Sequence, residues 1–459
     1  MKRLIFAAWT LVGVLALCTA VEYPGRWPVY ALFTLTANAL LYFGFRRNAI
    51  FFDAFIGVFF WLGFWLKLSV RVAFFDGEFH EPLGYFDRSG AAYDRALLAA
   101  SLGFMGLLAA SALRARFFNY PAIIAEPRPA GLLAFYAHHR RRVLIGFVAL
   151  VVAVTASNLF LGVYQRGAIP KTVLPFGLNG VYSWLLLFGL ASFSALILHL
   201  EFRLRRETSY LAVGLSLLEG FLSSLSLLSR GMILNTGALG YGALRSVKPE
   251  RLRTTLRFWI LCLVVFGLLF VTSVLTVNYV RNYYFEQPQD LAQAKRMTRA
   301  LFLDRWVGME GLMAVAAHPR QGWDLWAEAW REVPARKLSF FDSTFIASPY
   351  ANTDLTKHNF ISLPGIVAFF FYPGSFSLLL GAMFGVGLLA AAVEISVFKL
   401  GGRNLILCAL LAQVIASRYV HFGYAPRQTY LLFGALYLNV FLIYFADKAL
   451  AYWQRSRRV

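Results

Sequence analysis

Apolar runs of about 20 residues, separated by short polar connections, recur along almost all of this 459-residue chain. Each run is long enough to cross a bilayer as a helix, because a 30 Å hydrocarbon layer needs about 20 residues at 1.5 Å rise. Inside lipid every backbone N–H and C=O must find a partner within the protein, which leaves helices or closed barrels. Runs of this length select helices. Twelve segments meet the length criterion, at roughly 4–22, 28–45, 50–75, 93–113, 143–163, 176–199, 208–228, 231–246, 258–280, 362–395, 404–420 and 428–447. The eighth is short, so it is expected to form a tight or broken hairpin with the seventh. The tenth is long and contains Pro373-Gly374, where a helix bends or where a separate stretch before the membrane ends.

Composition agrees with a membrane protein. Hydrophobic residues make up 59% of the chain and charged residues 15%, against about a quarter charged in a soluble domain. The net charge of +21 does not indicate nucleic acid. It is concentrated in runs such as "HHRRR", "RLRRE" and "ERLRTTLR" that join apolar segments, as expected of the cytoplasmic loops that orient polytopic proteins. Lys2 and Arg3 place the amino terminus in the cytoplasm, and the first run reads as a retained span rather than a signal peptide. Twelve crossings then return the basic tail "YWQRSRRV" to the same side. By that parity the connections at 114–142, 200–207, 247–257 and 399–403 are internal, and all are basic. Cys18, Cys262 and Cys408 each sit in an apolar stretch and read as small core residues.

The expected fold is therefore all-α: a polytopic inner-membrane bundle of about twelve transmembrane helices with one large periplasmic loop. Three regions follow, with spans one to nine in 1–280, the large loop in 281–361, and the last three spans with the cytoplasmic tail in 362–459. Within the loop, "DLAQAKRMTRALFLDRWVGMEGLMAVAAH" has helical periodicity, so at least two helices are expected on or near the outer membrane surface.

Charges at membrane depth are the next constraint. Arg230, in "SLLSRGMILN", lies at the outward turn between spans seven and eight. A charge this deep costs about 2.5–3.5 kcal/mol and usually faces a cavity or a partner. It either snorkels to the headgroups or forms an anion site, where a guanidinium fork matches phosphate. Gly231 would let a ligand approach the backbone, and the start of span eight would add free N–H groups. Arg166, Lys171, Arg281, Arg305, Arg320, Arg418 and Arg427 also fall outside by parity. As a set they suit a lipid pyrophosphate. Few outward groups can move a proton: His358 in "KHNF", His80, His318 and His421, and Glu310 in "RWVGMEG". His358 stands beside Asn359 at the entry to span ten, and an imidazole there can accept a proton from an attacking hydroxyl. Asp53, Lys67, Arg71 and Glu219 lie within spans, where they either pair with one another or line a cavity. The chain has no GxxxxGK[ST], HExxH, DxD or CxxC pattern, so the usual residue sets for phosphate-loop hydrolysis, zinc proteolysis and DxD-type glycosyl transfer are missing. No metal or other cofactor is expected. Glycosyl chemistry would rely on arginines to stabilise the leaving phosphate.

With these residues the chain resembles the bacterial O-antigen polymerase (Wzy-type) and O-antigen ligase families. The resemblance rests on about twelve spans with both termini inside and a large loop between spans nine and ten. It rests also on "SRG" at the outer end of span seven and on "KHNFISLPGIVAFFFYPGSF", which is similar to an "HN…G…G" pattern. "YQRGAIPKTVLP" and "RWVGMEGLMAVAAHP" also look like polymerase segments. Some members show arginine, ten residues, then glycine in periplasmic loops; here nine residues separate Arg230 from Gly240.

The resemblance implies a glycan on undecaprenyl pyrophosphate, attacked at its anomeric carbon by a hydroxyl of an incoming lipid-linked repeat unit. Arg230 would grip the departing pyrophosphate with Arg166 and Arg305, and Arg281, Arg418 and Arg427 would line the same face. His358 would be the base or position the acceptor, with Glu310 as the alternate base. Implied partners are the lipid-linked oligosaccharide, membrane lipids and a chain-length regulator protein. Three other readings stay open. One is a ligase of the same superfamily, one a lipid-linked sugar transporter or flippase, and one a transferase using polyprenyl-monophosphate sugars, for which Glu22 is the available acid.

Overall fold

In the computed structural model the chain is a bundle of helices, with no strand among the described residues. The residues described are 2–79, 81–121, 130–166, 170–205, 209–246, 252–284, 303, 306–333, 338–346, 362–423, 426 and 428–456. In chain order the helices are α1 (Lys2–Glu22), α2 (Trp27–Gly44), α3 (Phe51–Phe60), α4 (Lys67–Phe74), α5 (Gly90–Phe117), α6 (Leu132–Leu161), α7 (Leu178–Trp184), α8 (Leu190–Arg205), α9 (Tyr210–Ser226), α10 (Ile233–Ser246) and α11 (Leu252–Tyr284). The helices of the following region are α12 (Met309–Ala317), α13 (Trp323–Arg331), α14 (Phe340–Thr344) and α15 (Gly365–Phe370). The chain closes with α16 (Phe376–Leu400), α17 (Leu405–Val420) and α18 (Gln428–Ser456). Wide-turn π segments, Trp61–Leu66 and Leu185–Gly189, join α3 to α4 and α7 to α8.

Among the described residues six helices are long and apolar enough to cross a membrane, Phe51–Phe74, Gly90–Phe117, Leu132–Leu161, Pro175–Leu204, Phe376–Leu400 and Thr429–Ser456, against the twelve spans expected. Shorter apolar helices occupy Phe6–Glu22, Tyr210–Ser226, Val264–Val277 and Leu405–Val420. This is a multi-pass helical membrane protein. Helix starts follow from local chemistry: the Ser89, Ser209 and Ser375 side chains accept from Ala92, Ala212 and Leu378, and Asn404 accepts from Ile406 and Leu407. Each satisfies donors that a helix leaves unpaired at its first turn. As expected, α9 and α10 form a hairpin, turned through Leu228 at φ 50° and a short 3₁₀ turn at Arg230–Met232.

Among the described residues, buried charges pair between helices rather than within one span. Asp53 of α3 binds Arg114 of α5 at 2.6 Å, and the Glu394 carboxylate of α16 accepts from the Phe51 and Phe52 amides at 2.7 and 2.8 Å. Arg245 of α10 donates to the Ala49 carbonyl and lies over Phe51. These contacts gather α3, α5, α10 and α16 at the end of the bundle where α3 begins. At the opposite end, α12 enters the interior.

That entry departs from the surface position expected of the loop helices. Met309, Leu312, Met313, Ala314 and Val315 are completely buried, and α12 packs on α5, α15 and the Trp61–Leu66 segment. Apart from Glu310 the run is apolar on all sides and too short to span, and such a helix is stable only when surrounded by protein. The tenth apolar segment is likewise two helices: α15, then a break at Phe371–Ser375, where Gly374 has φ 74°, then α16. Cys408 is buried, but Cys18 is exposed rather than a core residue.

Gly63 and Gly308 set how closely α12 approaches. A Cβ on Gly63 would lie 2.3 Å from the Val307 carbonyl oxygen, and one on Gly308 2.7 Å from that of Gly63. Two backbones touch, and neither side chain can be added without moving main chain. Gly63→Ala is expected to cost about 1–3 kcal/mol, read as a lower thermal midpoint of the detergent-solubilised protein. A conservative change at Gly13, where a Cβ meets nothing within 4 Å, should leave that midpoint unchanged.

Candidate functional site at the loop end of the bundle

Two groups of polar side chains occupy the end of the bundle that receives α12. The first is centred on Lys67 and Glu310. The π segment Trp61–Leu66 inserts extra residues into the α3–α4 helix, which sets the register of Lys67, and its indoles are fixed by Trp61 donating to Asn38 and Trp65 to Thr34. Lys67 Nζ then meets Glu310 Oε1 at 2.7 Å, with the two side chains 1% and 6% exposed. Burial pushes the Glu310 carboxyl above the usual carboxylate range, and the Lys67 ammonium opposes that shift. Glu310 is therefore held in a dry ion pair rather than presented to solvent.

The second group lies where the 162–174 connection meets the α9–α10 turn. Asn158 organises it: its amide donates to the Tyr164 carbonyl and to Ser226 Oγ at 2.9 Å, while its Oδ1 accepts from the Tyr164 amide at 2.8 Å. The Arg166 amide donates to the Leu227 carbonyl at 3.0 Å, and its guanidinium to Ser229 Oγ at 3.4 Å. The Arg166 Nη1 also faces Gly231, 3.8 Å from where a Cβ would stand. Arg418, in the last turn of α17, donates to Thr429 Oγ1 at 3.4 Å and lies within the electrostatic reach of Arg166. Among the described residues neither arginine forms an ion pair with a carboxylate. Beside them, Gln165 is 6% exposed and its Nε2 has no hydrogen-bond partner among the described residues. Two like charges, hydroxyl groups and an amide donor unpaired among the described residues make an electropositive cluster, termed the arginine recess.

The two groups share a wall. The Gly365 amide donates to the Phe422 carbonyl at 3.0 Å, one turn beyond Arg418, and Pro364 backs directly onto Gly311 of α12. Asp342 draws the chain into the same wall by accepting from the Ser362 amide at 3.3 Å. Burial pushes the Asp342 carboxyl up, and hydrogen bonds from Ser339 and Ser362 oppose it.

Of the residues singled out in the sequence, Glu310, Arg166 and Arg418 reach this end, Arg166 and Arg418 within electrostatic reach of one another and Glu310 behind the shared wall. Arg230 is brought there by its backbone, at the start of the 3₁₀ turn next to Ser229; its side chain lies outside the described residues. Arg281 falls in the last turns of α11, with its side chain likewise outside them. His358, Arg305, Arg427 and His80 lie outside the described residues altogether. His318 is buried between Tyr85 and Phe345, with Nδ1 against the Arg320 carbonyl, and His421 is bonded to the Ser417 carbonyl of its own helix. Ser229, Thr429, Gln165 and Lys67 complete the two groups. Ser229 and Lys67 had a signal, as the neighbour of Arg230 and as a charge inside a span; Thr429 and Gln165 had none. Among the described residues no three His, Cys, Asp or Glu side chains gather around a point.

No family model, curated protein or solved structure matches the chain.

Breaking one side of a buried ion pair strands the other charge, at about 3–5 kcal/mol, whereas replacing both with apolar groups is often neutral. Lys67→Met and Glu310→Gln are each expected to lower the thermal midpoint strongly. The Lys67→Met/Glu310→Met double variant should recover most of the loss. A double variant as unstable as the sum of the singles would show that the two groups do not act as a pair.

Proposed function

We propose that this protein is a membrane-embedded glycosyltransferase that lengthens a glycan carried on undecaprenyl pyrophosphate. The observation that carries the reading is Arg166 beside Ser229 and Gly231 with Arg418 within its electrostatic reach, and with no carboxylate paired to either among the described residues. Like-charged guanidinium groups repel one another, and an arrangement that brings the partly buried Arg418 within reach of the exposed Arg166 favours a multiply charged anion near them. A pyrophosphate supplies such an anion, with oxygen geometry matched to the guanidinium fork.

In this reading twelve helices cross the inner membrane with both termini in the cytoplasm, and the 281–361 loop and the arginine recess face the periplasm. An acceptor hydroxyl on an incoming lipid-linked repeat unit attacks the anomeric carbon of the donor. The new glycosidic bond forms as the carbon–oxygen bond to pyrophosphate breaks, and the leaving pyrophosphate keeps the electron pair. Arg166, Arg418 and Arg230 neutralise that developing charge, assisted by Arg281, Arg305 and Arg427 on the same face. The acceptor proton passes to His358. Glu310 is the weaker candidate for base, because Lys67 already engages its carboxylate, and it serves better to hold α12 against the wall of the recess. The chemistry assigned to these residues needs no metal.

Loss of a preorganised charge donor to a leaving group typically costs about 10²–10³ in rate. Arg166→Ala, Arg418→Ala and Arg230→Ala are therefore expected to reduce surface glycan to single repeat units in cells, with protein levels unchanged. The glycan length profile of a deletion strain carrying each variant measures this. Long polymer retained in all three would remove the recess from the mechanism. Accumulation of long lipid-linked polymer in the deletion strain would instead make the protein a ligase.

A further inference from the structure

Both ends of α13 touch residues at which crossing helices start or stop. At its beginning the Gly322 amide donates to the Tyr372 carbonyl at 3.2 Å, and the Gln321 side chain lies against Gly374, just before α16 begins at Phe376. Arg95, near the start of α5, donates to the same Gln321. At its other end Trp330 packs edge-on against Phe422, just beyond the last residue of α17, with ring centres 6.1 Å apart. Trp330 also stacks on Tyr430, in the first turn of α18, at 6.4 Å and 21°. These contacts lie at one level, the loop-end limit of α5, α16, α17 and α18. The helix therefore runs across the end of the bundle rather than along it. Nine residues give it a length of about 13 Å, somewhat more than the roughly 8–10 Å between the axes of packed helices.

Its sides differ. Trp323, Trp326 and Trp330 recur at helical spacing, and successive rings meet edge to face at 5.7 Å. Trp326 and Trp330 lean on Phe369 of α15, and Ala329 is buried, so this side meets the bundle. Asp324, Glu328 and Arg331 point elsewhere and are all exposed. Trp323, at the edge of the aromatic side, is 58% exposed, and Tyr430 is 64% exposed. Position fixes what surrounds these two rings. Tyr430 stands in the first turn of Thr429–Ser456, a helix long and apolar enough to cross the membrane, and so marks the boundary between hydrocarbon and water. Tryptophan and tyrosine are favoured at that boundary, because an apolar ring carries an N–H or O–H that reaches the headgroups.

We infer that α13 lies in the plane of the membrane interface, with Trp323 and Tyr430 among phospholipid headgroups and Asp324, Glu328 and Arg331 in water. Lipid is the occupant because the two rings continue an outer face of α18 that is open along the span, at Leu431, Leu438, Phe441 and Leu442. Trp330 ties the two exposed rings together through its contacts with Trp326 and Tyr430. The arginine recess thereby acquires a depth. Thr429, the hydroxyl partner of Arg418, adjoins Tyr430, so Arg418 meets its ligand at headgroup level. Resting on the function proposed above, this placement lets a phosphate still tethered to its lipid reach Arg418 without leaving the bilayer.

Nitroxide labelling of the full-length protein in phosphatidylcholine vesicles tests this, with native cysteines replaced and Trp323→Cys, Tyr430→Cys, Asp324→Cys and Glu328→Cys introduced one at a time. The ratio of collisions with dissolved oxygen to collisions with a water-soluble nickel chelate should be several-fold higher at 323 and 430 than at 324 and 328. A ratio at 323 no higher than at 328 would overturn the placement, whether α13 stands off the membrane or is sunk in it. A second readout keeps the native cysteines and the helix intact. Quenching of tryptophan fluorescence by phosphatidylcholine spin-labelled at the headgroup should be weaker in Trp323→Phe than in the unaltered protein. Equal quenching in the two proteins would also overturn it. Neither readout depends on glycan transfer, so the placement of α13 and the proposed reaction stand or fall separately.

Discussion

The buried Lys67–Glu310 pair is the contact on which the loop end of the structure depends. It joins a span to a helix 243 residues further along the chain at 2.7 Å, away from water. An ion pair of this kind contributes little net stability, because desolvation offsets much of the attraction. Its value is in register: α12 has few polar features to orient it, and a single buried cation fixes which of its residues faces α4. The glycine contact at Gly63 and Gly308 lets the backbones close to that distance, and the π segment turns Lys67 toward the pair. With α12 seated, Gly311 supports Pro364, and the Gly365–Phe422 hydrogen bond carries the same order to the end of α17, one turn from Arg418.

The two ends of the bundle solve the problem of buried charge differently. Where α3 begins, Asp53 pairs with Arg114 across two helices, and the Glu394 carboxylate caps the α3 amides, where it gains from the helix dipole. At the loop end, Arg166 and Arg418 stay close with hydroxyl partners alone among the described residues. On that asymmetry rests the proposed reading of the loop end as the ligand-binding one. It also explains why the net positive charge of the whole chain says little by itself: the same residue type performs opposite tasks at the two ends.

Much of the architecture was legible in the sequence, because apolar runs and cap residues act locally. The helices begin and end near the limits set by composition, and the hairpin around "SLLSRG" follows from two apolar runs meeting at polar residues. Pairings across the bundle were not legible. Asp53 and Lys67 stood out as charges inside a span, but each pairs with a residue from elsewhere, Arg114 at the end of α5 and Glu310 in the loop. Arg114 gave no sign of burial, since it adjoins a basic connection. The apolar run of α12 was visible as helical; its insertion follows from tertiary packing that periodicity cannot show. For the recess, Arg166, Arg418 and Glu310 stood out in the sequence and lie toward one end of the bundle, but the role of Asn158 in holding the Tyr164–Arg166 segment against α9 depends on a fold already formed.

The most direct measurement is reconstitution. Purified protein in vesicles would be supplied with repeat units on undecaprenyl pyrophosphate, and both glycan length and released undecaprenyl pyrophosphate would be followed. The account predicts a ladder of lengthened glycans, one undecaprenyl pyrophosphate released for each unit added, and no ladder from an Arg166→Ala/Arg418→Ala variant that folds normally. Movement of intact substrate across the vesicle membrane without any lengthening, or an undiminished ladder from that double variant, would contradict it.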